Sequence, residues 1–203
     1  MWFLLSRKAQ LAIVAIAILV TIKATEGAYL WFTDNPGTFL QRLSVTLFIV
    51  GSVLTLSAEV FWFRLARIVP ALQRFTFPDL NGSWNGHLHS TWVNPETGQE
   101  LPKIPTTITI RLGLFSAAIS MKTGESSSEA TRFILEPFRD LARYRLWYTY
   151  NNDPKARVQH RSSPHEGVAY LEMDWNADRN ALTGRYYTAR KTTGDIEVRR
   201  VLG

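Results

Sequence analysis

The chain has 203 residues, no cysteine and a formal net charge of +6 at pH 7. The absence of cysteine excludes disulfides, thiolate catalysis and cysteine-ligated zinc. Residues 1–75 hold seven basic and three acidic side chains, so most of the excess charge flanks apolar segments, where it suits anionic lipid headgroups. No run of basic residues marks a DNA- or RNA-binding face, and we expect no nucleic-acid duplex as a partner.

Two apolar segments near the N-terminus predict membrane-spanning helices. They cover residues 9–32 and 43–63, and roughly 20 residues of helix cross a hydrocarbon core. The connection TDNPG at 33–37 predicts a short turn, so we expect a hairpin. A cleaved signal peptide is the alternative for the first segment, but no small-x-small cleavage site precedes a polar mature start, and a second span follows directly.

Basic residues flanking this hairpin predict its orientation. Arg7 and Lys8 precede the first helix, and three arginines follow the second. By the positive-inside bias, both termini face the cytoplasm of a multi-pass inner-membrane protein. We therefore expect two domains, a transmembrane hairpin at residues 1–75 and a cytosolic ligand-sensing domain at residues 76–203.

Small residues and one carboxylate in the second span indicate contacts between helices of an oligomer. Small residues let helices approach closely in lipid, and an isolated charge deep in lipid costs several kcal/mol. The alternative is that Glu59, like Lys23 in the first span, lies near an interface and reaches the headgroups. The residues that we assign to assembly in the membrane are Gly51, Ser52, Ser57, Ala58 and Glu59.

Apolar and polar residues alternate with a period of two after Pro78, which predicts strands. Short turn-rich connections favour antiparallel neighbours in a meander. About eight strands fit a small closed β-barrel, because closure removes the sheet edges and leaves an interior for side chains or one small ligand. The predicted strands cover residues 82–93, 105–113, 115–123, 127–138, 141–151, 165–176, 180–190 and 194–201.

The first predicted strand begins with the sequence GSWNG at 82–86. Trp84 is expected to plug the floor of the barrel. Gly82 and Gly86 permit the strong bend that a small closed barrel demands of its first strand. A similar Gly-x-Trp opens the first strand of lipocalins, so this stretch indicates a small barrel without specifying which one.

The order of the motifs along the chain resembles one family. The hairpin is followed by LNGSWNG, GESSSE, YTYNNDP, SPHEG, LTGRYYTAR and TGDIEVRR. In this order they resemble the two-transmembrane, β-strand-rich effectors of CBASS, the bacterial anti-phage systems in which a cyclic oligonucleotide is the alarm signal. The resemblance implies that the barrel binds a cyclic oligonucleotide made by a partner nucleotidyltransferase. It also implies oligomerisation in the inner membrane, disruption of the membrane and cell death.

A receptor for such a ligand needs aromatic faces for the bases, an arginine for phosphate and several hydrogen-bonding groups. An arginine inside a small barrel is costly unless an anion or carboxylate meets it, so Arg190 is the most informative residue. The alternative is that Arg190 reaches solvent at a strand end or pairs with Glu166 or Asp195. Tyrosines in strands also serve as core, and His165 also suits a turn. The candidate ligand-binding residues are Tyr148, Tyr150, His165, Tyr186, Thr188 and Arg190.

Other motifs give little indication of chemistry. No nucleophile elbow, phosphate-binding glycine loop or His-Glu-x-x-His motif is present, so we expect no enzyme. His87 and His89 have no evident third ligand, so we expect no metal and no cofactor. Asn151, Asn152 and Asp153 are predicted to form a turn before a proline.

Two other functions stay open at this point. A membrane-anchored, lipocalin-like binder of an apolar small molecule predicts a barrel interior lined by aliphatic groups. A plain scaffold predicts a packed interior with no pocket.

Overall fold

The computed structural model describes residues 2–33, 36–56, 68, 73–74, 76–94, 97–113 and 116–201. The chain divides into two compact units, one built of the N-terminal helices and one built of strands.

The helical unit contains α1 (Arg7–Thr33) and α2 (Phe39–Leu56). Within α1, Arg7–Phe32 is long and apolar enough to cross a membrane, judged by length and composition. The apolar stretch described in α2, Phe39–Val53, is shorter than a full span. One spanning helix is thus supported, and the second span stays a prediction, because its last predicted residues, 57–63, lie outside the described part of the chain.

The predicted assembly residues fall partly on α2. Gly51 is exposed, Ser52 is half-buried, and a Cβ added to Gly51 would meet no atom within 4 Å. Ser57, Ala58 and Glu59 lie outside the described residues. The role of all five in assembly stays a prediction.

Lys23 has a local partner in α1. Its Nζ lies 3.2 Å from the Glu26 carboxylate, one helical turn further along. Arg42 of α2 lies 3.4 Å from the same carboxylate, so Glu26 connects the two helices of this unit. These pairs neutralise charge close to the turn between the helices.

The strand-rich unit is a closed barrel of eight antiparallel strands. Each strand pairs with its sequence neighbour, and β1 pairs with β8 to close the sheet. The predicted all-β architecture is confirmed. The strands are β1 (Gly82–Ser90), β2 (Ile104–Leu112), β3 (Ala117–Thr123), β4 (Ser126–Phe138), β5 (Arg143–Pro154), β6 (His165–Asp174), β7 (Ala181–Thr188) and β8 (Thr193–Arg200).

The end of β5 differs from the prediction. Asn151, Asn152 and Asp153 were expected in a turn, but they continue the strand, with Asn152 paired to Ser128 of β4 and to His165 of β6. The turn prediction is wrong because ladder pairing on both sides satisfies the backbone groups of this segment. That pairing outweighs the local preference of Asn and Asp for turns.

The barrel has two distinct ends. The floor is the end at which β1 begins and β8 stops, marked by Gly82 and Arg200. The upper mouth is the opposite end, where Ser90 ends β1 and His165 begins β6. Because the strands alternate in direction, odd-numbered strands run from the floor to the upper mouth.

Trp84 closes the floor, as predicted. It is fully buried, and its indole nitrogen donates a hydrogen bond to the Leu80 carbonyl at 3.0 Å. The Arg200 guanidinium lies 4.3 Å from the centroid of the Trp84 ring and donates to the carbonyls of Asn81 and Asp79. The last strand therefore holds the segment that precedes β1.

The glycines beside Trp84 have the role expected from the sequence. Gly82 has a φ of +130°, which side chains rarely tolerate. A Cβ on Gly86 would lie 2.0 Å from the Glu197 carbonyl oxygen of the neighbouring β8. Both positions allow β1 to bend closely against β8, and this contact closes the barrel.

The segment before β1 belongs to the barrel core. Phe77 and Leu80 are fully buried. The Tyr144 ring packs edge-on against Phe77 and Trp175, with centroids 5.6 and 6.0 Å away, and its hydroxyl donates to the Arg74 carbonyl at 2.7 Å. The inward-facing strand residues that are buried include Ile108, Ile110, Leu112, Leu146, Tyr148, Tyr150, Ala169, Leu171, Met173, Leu182 and Tyr186, and Trp175 is buried just after β6.

We expect Leu80→Ala to lower the free energy of unfolding of the barrel by about 2–5 kcal/mol, because it removes buried methyl groups and leaves a cavity. The matched control is Leu141→Ala, whose side chain is exposed and whose change should stay within ~0.5 kcal/mol. Urea unfolding of the detergent-solubilised chain, followed by tryptophan fluorescence, measures both. Equal effects would contradict the assignment of Leu80 to the core.

Candidate ligand site at the upper mouth

Three inward-facing tyrosines form an aromatic layer in the upper half of the barrel. Tyr148 and Tyr150 lie on the same face of β5, and Tyr186 lies on β7. All three are buried, and the ring centroids of Tyr148 and Tyr150 are 6.0 Å apart. The period-two alternation of each strand places these rings in the interior, as the sequence predicted.

Two glycines determine how the tyrosine rings lie. Gly167 is paired with Tyr150, and Gly194 is paired with Tyr186. A Cβ on Gly167 would lie 2.4 Å from the Tyr150 hydroxyl oxygen, and a Cβ on Gly194 would lie 2.6 Å from that of Tyr186. Each ring therefore extends over the glycine of the next strand, along the barrel wall.

The Tyr148 hydroxyl is buried, and it has no hydrogen-bond partner within the described part of the chain. An unsatisfied buried hydroxyl costs about 1–3 kcal/mol. Burial also raises the pKa of Tyr148, so the group stays protonated and can donate. This hydroxyl offers a hydrogen bond to a polar atom that enters the barrel.

The two tyrosines nearest the mouth are also held in the neutral form. Burial raises the pKa of Tyr150 to about 12, with a further increase from Tyr186 and an opposing effect of the Arg190 charge. Burial likewise raises the pKa of Tyr186, against a hydrogen bond with Ser90 and the charge of Arg190. Neutral rings suit stacking beside an anionic ligand, because they add no negative charge.

Arg190 lies in the turn that follows β7 and is exposed. Of the two alternatives left by the sequence, the structure favours the one that reaches solvent. The strand stops at Thr188, whose hydroxyl lies 2.6 Å from that of Thr192 across the turn. The Arg190 guanidinium donates to the Ser162 hydroxyl at 3.0 Å, so Ser162 is its observed partner in place of the expected carboxylates.

His165 lies at the start of β6 and is half-buried. Its Nδ1 is 2.9 Å from the Ser163 carbonyl oxygen. Burial lowers the pKa of His165, and the Arg190 charge lowers it further, against the hydrogen bond with Ser163. The Arg190 charge thus acts on His165 and on both upper tyrosines, which means that these four predicted residues share the upper mouth.

The sequence prediction missed a polar pair at this mouth. Ser128 and Asn152 are buried, and the Ser128 hydroxyl donates to the Asn152 amide oxygen at 2.9 Å. Asn152 continues the inward-facing series that begins with Tyr148 and Tyr150. Extending the alternation two residues further would have identified it, but the assignment of a turn ended the strand too early.

The prediction also missed basic residues in the connection between β5 and β6. Lys155 and Arg157 both donate to the Gly124 carbonyl, and Arg161 pairs with the Glu125 carboxylate at 2.5 Å. These exposed side chains surround the upper mouth on the side of β4 and β5. Together with Arg190 they make this rim attractive to anions. The run PKARVQHR at 154–161 is the sequence signal for this rim.

A concave surface lies on the outer wall of the same strands. It is a groove of about 720 Å³ that spans β4 to β7 and includes Arg132 and Glu166 together with two of the predicted ligand-binding residues, Tyr150 and Thr188. Its volume lies within the range of small-molecule sites. The groove thus shares Tyr150 and Thr188 with the upper mouth, whereas Arg132 lines the groove and Arg190 does not, so these two arginines distinguish the two locations for a ligand.

Comparison with known families identifies the barrel. The family described as "Cap15, cyclic dinucleotide receptor domain" matches residues 75–200. The chain belongs to this family. The match covers all eight strands and the segment that enters the floor, and it confirms the resemblance to CBASS effectors that the order of the motifs indicated.

Two curated relatives agree with this assignment. A protein named CD-NTase-associated protein 15 from Yersinia aleksiciae is 29% identical over 128 residues, which cover 61% of this chain and 56% of the relative. A protein of the same name from Staphylococcus schleiferi is 34% identical over 56 residues, which cover 28% of this chain and 29% of the relative. The chain thus spans about half the length of the first relative and less than a third of the second.

We expect Tyr150→Phe to reduce the loss of stability at alkaline pH. The pKa of Tyr150 is about 12 in the folded chain and about 10 when unfolded. Between these values the folded state keeps a proton that the unfolded state releases, so the free energy of unfolding falls as the pH rises. Urea unfolding at successive pH values measures this slope, and an identical slope in the variant would contradict burial of the hydroxyl.

Proposed function

We propose that this protein is a CBASS effector whose barrel binds a cyclic dinucleotide at the upper mouth. The observation that carries the proposal is that Tyr150, Tyr186, His165 and Arg190 all lie at or near the strand ends that form one end of a barrel of this family. The description of the family as a cyclic dinucleotide receptor domain supports the same ligand class. The association with a CD-NTase in the names of the relatives supports a partner nucleotidyltransferase as its source.

The chemistry of the mouth suits such a ligand. A cyclic dinucleotide has two flat bases, two phosphate charges and ribose hydroxyls. Tyr150 and Tyr186 offer faces for stacking, and Arg190 offers a charge-assisted hydrogen bond to phosphate. The unpartnered Tyr148 hydroxyl is left for a polar atom of the ligand, whereas the hydroxyl of the predicted residue Thr188 lies 2.6 Å from that of Thr192.

The lining of the mouth weighs against a carrier of apolar molecules. Such a carrier needs an interior that is aliphatic up to its opening. Here the upper layers contain tyrosines, the Ser128–Asn152 pair and a half-buried histidine. The aliphatic residues Leu146, Leu171 and Leu182 lie deeper, toward the floor. A polar and aromatic opening favours a nucleotide.

We expect Arg190→Ala to weaken cyclic dinucleotide binding by about tenfold to a hundredfold, because it removes a hydrogen bond to a charged group. The measurement is isothermal titration of the detergent-solubilised chain with a panel of cyclic di- and trinucleotides. The matched control is Arg132→Ala in the outer groove, which should keep the wild-type affinity.

The two arginine variants also distinguish the two locations. A loss of affinity in Arg132→Ala together with undiminished affinity in Arg190→Ala would move the ligand to the outer groove. A wild-type chain that binds no member of the panel would contradict the proposed function itself.

The effector half of the proposal concerns the membrane. Ligand binding biases an equilibrium toward assembled protomers, and the clustered hairpins disrupt the inner membrane and kill the cell. A ligand does this only by preferring the assembled state. The support is a first helix long enough to span a bilayer and small residues at positions 51 and 52 of α2.

We expect Gly51→Leu to reduce ligand-triggered leakage of a dye from vesicles that contain the reconstituted chain, because a bulky residue keeps helices apart. Its affinity for the nucleotide should match that of the wild type, because Gly51 lies outside the barrel. Ile49→Ala, an exposed residue on the opposite face of the same helix, is the control and should leak like the wild type. Full leakage from Gly51→Leu would exclude this residue from assembly.

A further inference from the structure

The contacts proposed above between the upper mouth and the nucleotide do not involve the Ser128–Asn152 pair. Ser128 and Asn152 are directly opposite each other in the ladder between β4 and β5. Their exposed fractions are 3% and 9%, so both side chains lie inside the wall of the barrel. Asn152 is also directly opposite His165 in the ladder between β5 and β6. Burial lowers the pKa of this histidine, and the Arg190 charge lowers it further.

The hydrogen bond from Ser128 fixes the orientation of the amide. The Ser128 hydroxyl donates to Oδ1 of Asn152 at 2.9 Å and occupies one of its two lone pairs. No group among the described residues accepts a hydrogen bond from the amide nitrogen. The amide therefore keeps one acceptor site and its N–H donors for a ligand.

An amide with one donor and one acceptor side by side matches the Hoogsteen edge of adenine and not the Hoogsteen edge of guanine. The Hoogsteen edge of adenine presents the N7 acceptor beside the N6 amino donor, which an asparagine contacts with two hydrogen bonds. The same edge of guanine presents two acceptors, N7 and O6, so one of them faces the amide oxygen without a donor. At this edge the mismatch leaves one of the two guanine acceptors without a donor.

We propose that Asn152, oriented by Ser128, selects adenine over guanine in the bound cyclic dinucleotide. This inference rests on the proposed function. Asn152 lies two residues beyond Tyr150 on the same inward face, about 7 Å along the strand. A base that stacks on the Tyr150 ring presents its edge in that direction, while the phosphates lie toward Arg190.

The test compares the affinities of the detergent-solubilised chain for cyclic di-AMP and cyclic di-GMP of the same linkage. The wild type is expected to bind the adenine ligand about tenfold more tightly or better. Asn152→Leu is expected to bring this ratio close to one, mainly by weakening the adenine ligand. Asn151→Leu, one residue away on the exposed outer wall, is the matched control and keeps the wild-type ratio.

Ser128→Ala provides a second variant with a smaller change in the core. Without the serine hydroxyl the amide can rotate, so we expect the ratio of the two affinities to fall severalfold. An unchanged midpoint of urea unfolding would show that the barrel stays folded. Three outcomes would overturn the inference. Either the wild type shows no preference for the adenine ligand, or Asn152→Leu loses affinity for both ligands by the same factor, or both variants keep the wild-type ratio of affinities. Binding of neither ligand, nor of any other cyclic dinucleotide, overturns the proposed function with it.

Discussion

The pairing of β1 with β8 is the constraint on which the rest of the structure depends. It turns an eight-stranded sheet into a barrel, so every second side chain of each strand enters an interior of fixed width. Gly86 makes this closure possible, because any side chain there would collide with the backbone of β8. The same rule of close approach recurs at the upper mouth, where Gly167 and Gly194 leave room for the rings of Tyr150 and Tyr186.

The two ends of the barrel differ in the side chains that fill them. At the floor, Trp84, Phe77 and Tyr144 fill the cross-section, and Arg200 holds the segment that enters from the helices. At the upper mouth the interior ends in hydroxyls, an amide and an imidazole. A polar ligand therefore has an energetic reason to bind at one end only, since the floor offers no unpaired polar group among the described residues.

The fold could be predicted from the sequence because alternation of apolar and polar residues with a period of two indicates strands. About eight such strands with short connections indicate a closed barrel. In β2, Ile108 and Ile110 alternate strictly with polar neighbours, and their burial follows directly. The site was harder to predict because its residues lie where strands stop. Asn152 looked like a turn residue, and Arg190 looked like an inward residue, since the point at which a ladder ends depends on the partner strands and not on local preference.

The hydrogen bond between Arg190 and Ser162 connects two separate loops at the upper mouth. It ties the turn between β7 and β8 to the connection between β5 and β6, which carries Lys155 and Arg157. An anion that binds Arg190 competes with this neutral hydroxyl and forms the stronger, charge-assisted bond. Under the proposed function, a phosphate bound to Arg190 would displace Ser162 and so release the contact between these two loops. If ligand binding promotes assembly, the surface of these loops is where the ligand-free and ligand-bound protomers would differ.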